Sequence, residues 1–348
     1  MNDPRNRTHD EIRRHGGLGN LNEGIAVEIH GLSTRLIAWP GNGFQTQSVH
    51  VVTHRPGEQS DRFTYPIGEE AAICLQGRGE VWLHDRWVAV GPGDLAFWPP
   101  GVEHATRNAQ DSERDFVLVT QLTPPPFDLY EPAGFYDRTA GSMRFEVVER
   151  ARRTALPGRL ATASELRLSH AEPEARAWNL GLEEIRQRGA LFNIFRGAEF
   201  AARGVDELLV LWPGYGSRSA TFHVSVIDPL RPIRRHTHPV SDECLIFFDG
   251  DHAGIELEGR IVRLQPNDVL LAPCGVEHGG GRTEQLGRIW VGAFASPPQV
   301  DLLMLSGHYD GAALATPPWV ELDVTGQQAP GDESDDSEGQ ASGFVRFQ

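Results

Sequence analysis

The sequence predicts an all-β protein built from two copies of one barrel-like unit, and three observations lead there. Short apolar runs are broken at regular intervals by Gly, Pro, Asn and Asp, the pattern of a sandwich or barrel. The chain repeats itself once, at an offset of about 173 residues. In the second copy His236 and His238 precede Glu243 and then His278, four metal-ligating side chains in close order.

The first copy opens with a helical arm, Glu11-Ile-Arg, matched by Glu184-Ile-Arg in the second. Strands follow at Phe44–Thr53, Ala71–Leu75, Glu80–His84 and Asp94–Trp98, separated by the turn signals Gly77-Arg-Gly79, Gly91-Pro-Gly93 and Pro99-Pro-Gly101. Trp39-Pro-Gly returns as Trp212-Pro-Gly, His50-Val51 as His223-Val224, and Glu70 with Gly77 as Glu243 with Gly250. Pro99-Pro-Gly-Val-Glu-His104 returns as Pro273-Cys-Gly-Val-Glu-His278 after a one-residue insertion. These repeats divide the chain into an N-terminal unit with its arm (1–141), a linker (142–180), a C-terminal unit with its arm (181–317) and a tail (318–348). The linker carries two charged stretches of helical character, Glu146–Ala155 and Ala163–Leu168. Residues 328–343 read as an acidic disordered tail, and the last five residues as a segment able to dock on a sheet edge.

In an extended segment side chains alternate, so His236 and His238 share a face. Glu243 begins the next apolar run and His278 follows a Pro-x-Gly turn after another short strand. Three imidazoles and one carboxylate suit a borderline divalent ion. Arg234 has the same parity as the two histidines and is expected to point inward, where it could receive a substrate carboxylate or stand at the rim in solvent. By parity with Glu243, Leu245 and Phe247 should line the pocket, and Arg288 and Trp290 on a later strand could do the same. His223 recurs as His50 in the first copy, which favours a structural hydrogen bond for both. Cys274, beside the site in the turn, could serve as a sensor thiol, though a buried, inert thiol is the stronger expectation.

This pattern resembles the cupin superfamily, whose two motifs are carried here by His236, His238, Glu243 and Gly250, then by Pro273, Gly275 and His278. Leu230, Asn267 and Arg282 depart from the motifs, and none of them is a ligand position. The resemblance implies two double-stranded β-helix jelly rolls, over about 30–122 and 203–295, each with its site inside the barrel. In the first copy Phe63 and Tyr65 stand where His236 and His238 should be, while Glu70 and His104 survive. The expectation is therefore one divalent transition ion per chain, in the second barrel. Fe(II) is favoured, with Mn(II), Ni(II) or Zn(II) as alternatives. The first barrel is expected to carry a vestigial, metal-free site.

Families with this ligand set span several chemistries, so three functions stay open. The first is a dioxygenase or oxygenase acting on a small carboxylated or enolisable organic acid. The second is a redox-neutral isomerase, decarboxylase or amidohydrolase, similar in outline to the two-domain ureidoglycine aminohydrolases. The third is a non-catalytic small-molecule-binding protein. A homodimer is a further expectation from the resemblance.

Composition narrows the field. Every basic side chain is Arg, which excludes a lysine Schiff base, a P-loop lysine and a pyridoxal enzyme. The formal net charge of -16 argues against nucleic-acid binding. No apolar run is long enough to span a bilayer, and the polar start shows no secretory signal. Three cysteines without a disulfide framework suggest a cytoplasmic setting.

Overall fold

A computed structural model describes residues 3–156, 160, 165–227, 233–248, 253–283 and 289–322. The acidic tail and the last five residues lie outside the described residues, as does most of the stretch 157–164.

The N-terminal half starts with helix α1 (His9–His15) and strands β1 (Gly17–Asn20), β2 (Glu23–Ile29), β3 (Leu32–Ala38) and β4 (Ser48–His54). It continues with β5 (Glu69–Gln76), β6 (Gly79–Leu83), β7 (Arg86–Val90), β8 (Asp94–Trp98), β9 (Thr106–Asn108) and β10 (Phe116–Thr123). A small hairpin, β11 (Tyr136–Asp137) and β12 (Ser142–Met143), leads to one helical turn, α2 (Phe145–Val148), and to β13 (Arg153–Ala155). The C-terminal half repeats the plan. Helix α3 (Leu182–Arg188) precedes β14 (Ala190–Asn193), β15 (Arg196–Ala202), β16 (Val205–Leu211), β17 (Thr221–Ile227) and β18 (Asp242–Phe247). Then come β19 (Ala253–Leu257), β20 (Arg260–Arg263), β21 (Asp268–Ala272), β22 (His278–Thr283), β23 (Ile289–Ser296), α4 (Val300–Leu305) and β24 (Val320–Glu321).

Each half is a jelly roll with a long sheet facing a three-stranded one. In the first half the long sheet runs β8-β5-β10-β4-β3-β2 and the short one β7-β6-β9. In the second they run β21-β18-β23-β17-β16-β15 and β20-β19-β22. The expected all-β duplication is thus observed.

The linker differs from expectation. The stretch 146–155 is not one helix: after the turn of α2 the chain extends, and β13 adds to β2 with Arg153 opposite Ile25. An open backbone edge on β2 and the short apolar stretch 147–148 favour strand addition over continued helix. At the other end β24 docks on β15, with Val320 opposite Gly197.

The two halves exchange their arms. Strand β1 pairs with β21 of the C-terminal barrel, and β14 pairs with β8 of the N-terminal one. Because β1 also touches β2 and β14 also touches β15, the two long sheets form one continuous path that returns on itself. Helix α1 is set for this by a capping box, in which Thr8 accepts from the Glu11 amide and Glu11 accepts from the Thr8 amide. Gly16 and Gly189 end the two arm helices at φ +69° and +78°. A Cβ at Gly189 would lie 2.2 Å from the Phe97 carbonyl oxygen, so glycine is required where the arm enters the opposite barrel.

Buried carboxylates hold each exchanged strand. Asp94 accepts from Arg176 Nη1 at 2.6 Å and from Asn193 Nδ2 at 3.0 Å. Asp268 does the same for Arg5 at 2.6 Å and Asn20 at 2.8 Å. A second reciprocal pair sits nearer the centre. Asp242 accepts from the Gln45 and Thr46 amides, and Glu69 from the Arg218, Ser219 and Ala220 amides. Among the described residues no helix is long and apolar enough to cross a membrane.

The Asp94–Arg176 pair is fully buried, so Asp94→Ala strands a guanidinium without its partner and should cost about 3–5 kcal/mol in a denaturant melt. Arg5 is 30 % exposed, and Arg5→Ala should cost only about 1 kcal/mol.

Candidate metal centre

The C-terminal barrel places its four predicted ligands on three pieces of chain. His236 and His238 lie on the extended segment before β18, Glu243 on β18 and His278 at the start of β22. An isolated bridge between His236 and His278 ties the segment to β22, with reciprocal N–H to carbonyl bonds of 2.9 and 3.0 Å. One donor atom from each of the four side chains lies within 4.8 Å of all the others. Glu243 Oε2 is 2.8 Å from His278 Nε2 and 3.2 Å from His238 Nε2. That is the spacing of neighbouring ligands around a small ion with bonds of about 2.1 Å, which sit about 3 Å apart.

The imidazoles are set in the matching tautomer. His236 Nδ1 donates to the Arg234 carbonyl at 2.8 Å and His278 Nδ1 to the Val276 carbonyl at 3.0 Å. A carbonyl accepts only from N–H, so each Nε2 keeps its lone pair for the centre. Glu243 is buried, which alone would raise its pKa, but His238 and His278 outweigh burial and hold it well below the usual carboxylate range. Burial pulls His238 down, yet Glu243 and Asp301 bring it up to about 9. His236 falls to about 3 through burial and the neighbouring His278.

A side chain missed in the sequence completes the cluster. Gln299, just before α4, donates from Nε2 to Glu243 Oε1 at 2.8 Å and lies 3.0 Å from His238 Nε2. Protons alone cannot satisfy these atoms. If His238 Nε2 carries a proton for Glu243, it meets the Gln299 N–H; if it does not, its lone pair faces the carboxylate. A cation in the middle removes the conflict, and on that ground the residues present fit a divalent ion.

Around this core lie further polar groups. Asp301 stands 3.8 Å from His238 Nδ1 and pairs with Arg203 at 2.6 Å. Glu207, on β16, is buried with Oε2 lacking a hydrogen-bond partner, and burial raises its pKa to about 8. His223 Nε2 stands between, 3.6 Å from Glu207 and 3.7 Å from Glu243. Burial lowers its pKa to about 4, so it is neutral and these are not ion pairs. Among the described residues the expected structural hydrogen bond is seen in the first copy, where His50 Nε2 meets the Tyr130 hydroxyl at 3.2 Å. Leu303 takes that tyrosine's place in the repeat, and His223 faces the ligands instead.

The other predicted lining residues divide. Leu245 and Phe247 do face the barrel interior, in one cluster with Ile233, Leu270, Val291 and Ala293. Trp290 does not: Val291 and Ala293 take the inner face of β23, and Trp290 packs edge-on against Phe195, centroids 5.4 Å apart, between the barrels. Arg288 lies outside the described residues. Arg234 is exposed at the rim, because Ile233 points inward and two successive arginines follow it outward. A single bridge, unlike a full ladder, does not enforce strict alternation on that segment. Cys274 is exposed rather than buried.

The N-terminal barrel keeps half of the arrangement. His104 Nε2 is 2.9 Å from Glu70 Oε2, its Nδ1 donates to Val102, and the Phe63–His104 bridge repeats His236–His278. The missing imidazoles are replaced by rings that fill the space. Phe63 stacks on His30 with centroids 3.6 Å apart, and the Tyr65 hydroxyl lies 3.0 Å from His30 Nε2. The remaining cavity of about 30 Å³ has room for one water. A larger cleft of about 600 Å³ lies under the N-terminal arm, between Arg7, His9, Trp39 and Arg153, remote from either set of ligand positions.

Comparison with known proteins agrees with the architecture. Residues 50–120, in the N-terminal barrel, match the cupin domain family model. Protein Ylba from E. coli has a TM-score of 0.53 at 13 % identity, over 82 % of this chain and 92 % of that one. A Pseudomonas aeruginosa protein described as glyoxylate induced gives 0.53 at 14 %, over 81 % and 89 %. An oxalate decarboxylase gives 0.50 at 12 %, over 86 % and 80 %. No curated protein sequence matches the chain. The domain match places a cupin domain in the N-terminal barrel, and the whole chain shares the two-barrel fold of these structures. At these identities the likeness extends to the fold alone.

Two measurements check the two barrels separately. Metal-stripped protein reloaded with Mn(II) should retain about one ion per chain by elemental analysis, and Glu243→Ala or His278→Ala should abolish retention while Glu70→Ala leaves it intact. In the N-terminal barrel, His50 and His54 are buried and neutral, with pKa values lowered by burial to about 3 and about 4. The unfolded chain therefore takes up protons first. Stability should be full above pH ~6.5 and fall by about 1.4 kcal/mol per pH unit for each histidine as the pH drops toward 4. Removing one, as His50→Gln, should roughly halve that part of the slope in melts run across the range.

Proposed function

We propose that the C-terminal barrel is a metal-dependent catalytic site for a small carboxylated or enolisable organic acid, and that its reaction is redox-neutral proton transfer of the isomerase, decarboxylase or amidohydrolase type. The observation that carries this reading is Glu207. It is a buried carboxyl with an oxygen lacking any partner, close to the ligand cluster, at the position where the N-terminal barrel has Thr34. Burying such a group costs stability, and the fold of the other copy does without it. A carboxyl whose pKa is raised to about 8 can give or take a proton near neutrality, which suits general acid–base work.

His236, His238, Glu243 and His278 would hold the ion. When bound, the ion polarises a substrate oxygen and stabilises negative charge on it. The chain's own groups do the rest. Arg234, exposed at the rim and bonded through its backbone to Arg203, offers positive charge to a substrate carboxylate as it approaches, while Arg203 stays paired with Asp301. Leu245 and Phe247 keep the interior apolar and limit water. Glu207 exchanges a proton with the substrate, and His223, held neutral, stands beside it as acceptor or donor.

An oxygenase is the second reading, favoured by the donor set itself, since three imidazoles and one carboxylate on Fe(II) suit oxygen chemistry. Three free thiols support a cytoplasmic setting, and any homodimer would use surfaces other than the arms, which are already engaged within the chain.

The test is turnover of a panel of small hydroxy, keto and ureido acids by protein loaded with Mn(II), Zn(II) or Fe(II), with and without oxygen. Anaerobic conversion, or solvent deuterium entering the substrate, is expected. It should be lost in His236→Ala and fall about 100-fold or more in Glu207→Gln. Oxygen uptake with Fe(II) and no anaerobic conversion would select the second reading. Ligand binding that survives chelation, with no turnover on any metal, would reject both.

A further inference from the structure

We propose that Gln299 is a fifth ligand of the metal centre, turning its side-chain amide to present Oε1 to the ion. This rests on the reading that His236, His238, Glu243 and His278 hold a divalent ion.

The placement comes first. Gln299 Nε2, whose place Oε1 takes when the amide turns, lies 3.0 Å from His238 Nε2, the separation expected between neighbouring ligands on one small ion. It lies 2.8 Å from Glu243 Oε1, the carboxylate oxygen other than the one beside His238 and His278. The residue is 4 % exposed, and its Oε1 is buried without any hydrogen-bond partner. A buried amide oxygen left without a donor is costly, and turning the amide would bring that oxygen to the ligand cluster, where a cation would satisfy it.

The repeat supplies a second, independent argument. The same position in the N-terminal barrel is Pro126, within Pro124-Pro125-Pro126, against Pro297-Pro298-Gln299 here. The backbone is nearly the same in both, φ −81° and ψ 94° at Pro126 and φ −73° and ψ 84° at Gln299. The fold therefore does not need glutamine there. It stands in the copy that also has His236 and His238, and is missing from the copy with Phe63 and Tyr65.

The amide orientation follows from charge. Once His238 Nε2 gives its lone pair to an ion it no longer accepts from Gln299, and the amide N–H groups then face a cation. Rotation about the last side-chain bond exchanges N for O at almost the same place and reverses the sign of the interaction. A six-coordinate ion would then keep one open position rather than two. The site would accept one exogenous donor atom at a time, which disfavours a chelating substrate.

Binding rather than turnover tests this. Metal-stripped full-length protein is titrated with Mn(II) for affinity and with Co(II) for its visible absorption, in wild type, Gln299→Pro and Gln299→Glu. Gln299→Pro copies the other barrel's backbone, and thermal melts confirm that it folds. Its affinity should fall about 10–100-fold, and its Co(II) spectrum should change to that of lower coordination. Gln299→Glu keeps an oxygen ligand and adds charge, so it should bind at least as tightly as wild type. Wild-type affinity and spectrum in Gln299→Pro would overturn the proposal. So would a loss in Gln299→Glu as large as in Gln299→Pro, which would make the residue only a hydrogen-bond donor to Glu243. A wild-type chain that binds neither ion would overturn the metal reading itself, and this inference with it.

Discussion

Everything else in the molecule depends on a mutual debt between its halves: each barrel is closed by a strand that belongs to the other. Asp94 and Asp268 make the debt enforceable, each buried and each holding the guanidinium and the amide of an arm. Buried acids of this kind fix geometry more than they add stability, because desolvation takes back much of the attraction. The exchanged strands bear directly on the ligands. Strand β1 lies against β21, and β21 pairs with β18 so that Ala272 faces Glu243. On the other side of Glu243 stands Ala295 of β23, whose carbonyl accepts from Gln121 of the N-terminal barrel. The carboxylate at the heart of the site is thus positioned by both copies.

The duplication separates what the fold requires from what the chemistry requires. Glu70 and His104 still form their pair where Phe63 and Tyr65 replace the other two imidazoles, so that half of the arrangement suits the fold by itself. The differences gather in one place. Phe63, Tyr65 and Thr34 line one cavity in the first barrel, and His236, His238 and Glu207 at the matching positions of the second gather about Glu243, joined by Gln299 where the first barrel has Pro126. These exchanges turn a cavity packed with aromatic rings into one crowded with donors and acceptors. Such a cluster is expensive in a β barrel, and its cost is the physical reason to look for function in the C-terminal half.

Much of this was legible from the residues in order. The repeat, the strand-rich units and the four ligands are local patterns, and local patterns survive folding. Gln299 and Glu207 were not found that way, because neither belongs to a spacing motif and each reaches the cluster from a distant strand or helix. The repeat does hold a signal, in Pro126 and Thr34 at the matching positions of the first copy. Trp290 does not line the pocket because Val291 and Ala293 hold the inward register of β23, which nothing local in the sequence marks. Arg234 was misplaced because one bridge does not impose the alternation that a ladder does. The arm exchange had no local sign at all: Gly17 meets Leu271 across most of the chain.

A duplicate that keeps only Glu70 and His104 of the four cluster positions would ordinarily be free to drift. Here it cannot, since its first strand plugs a gap in its neighbour's wall and its core buttresses the neighbour's carboxylate. A constraint on the geometry of one half therefore reaches through the shared sheet and holds the architecture of the other.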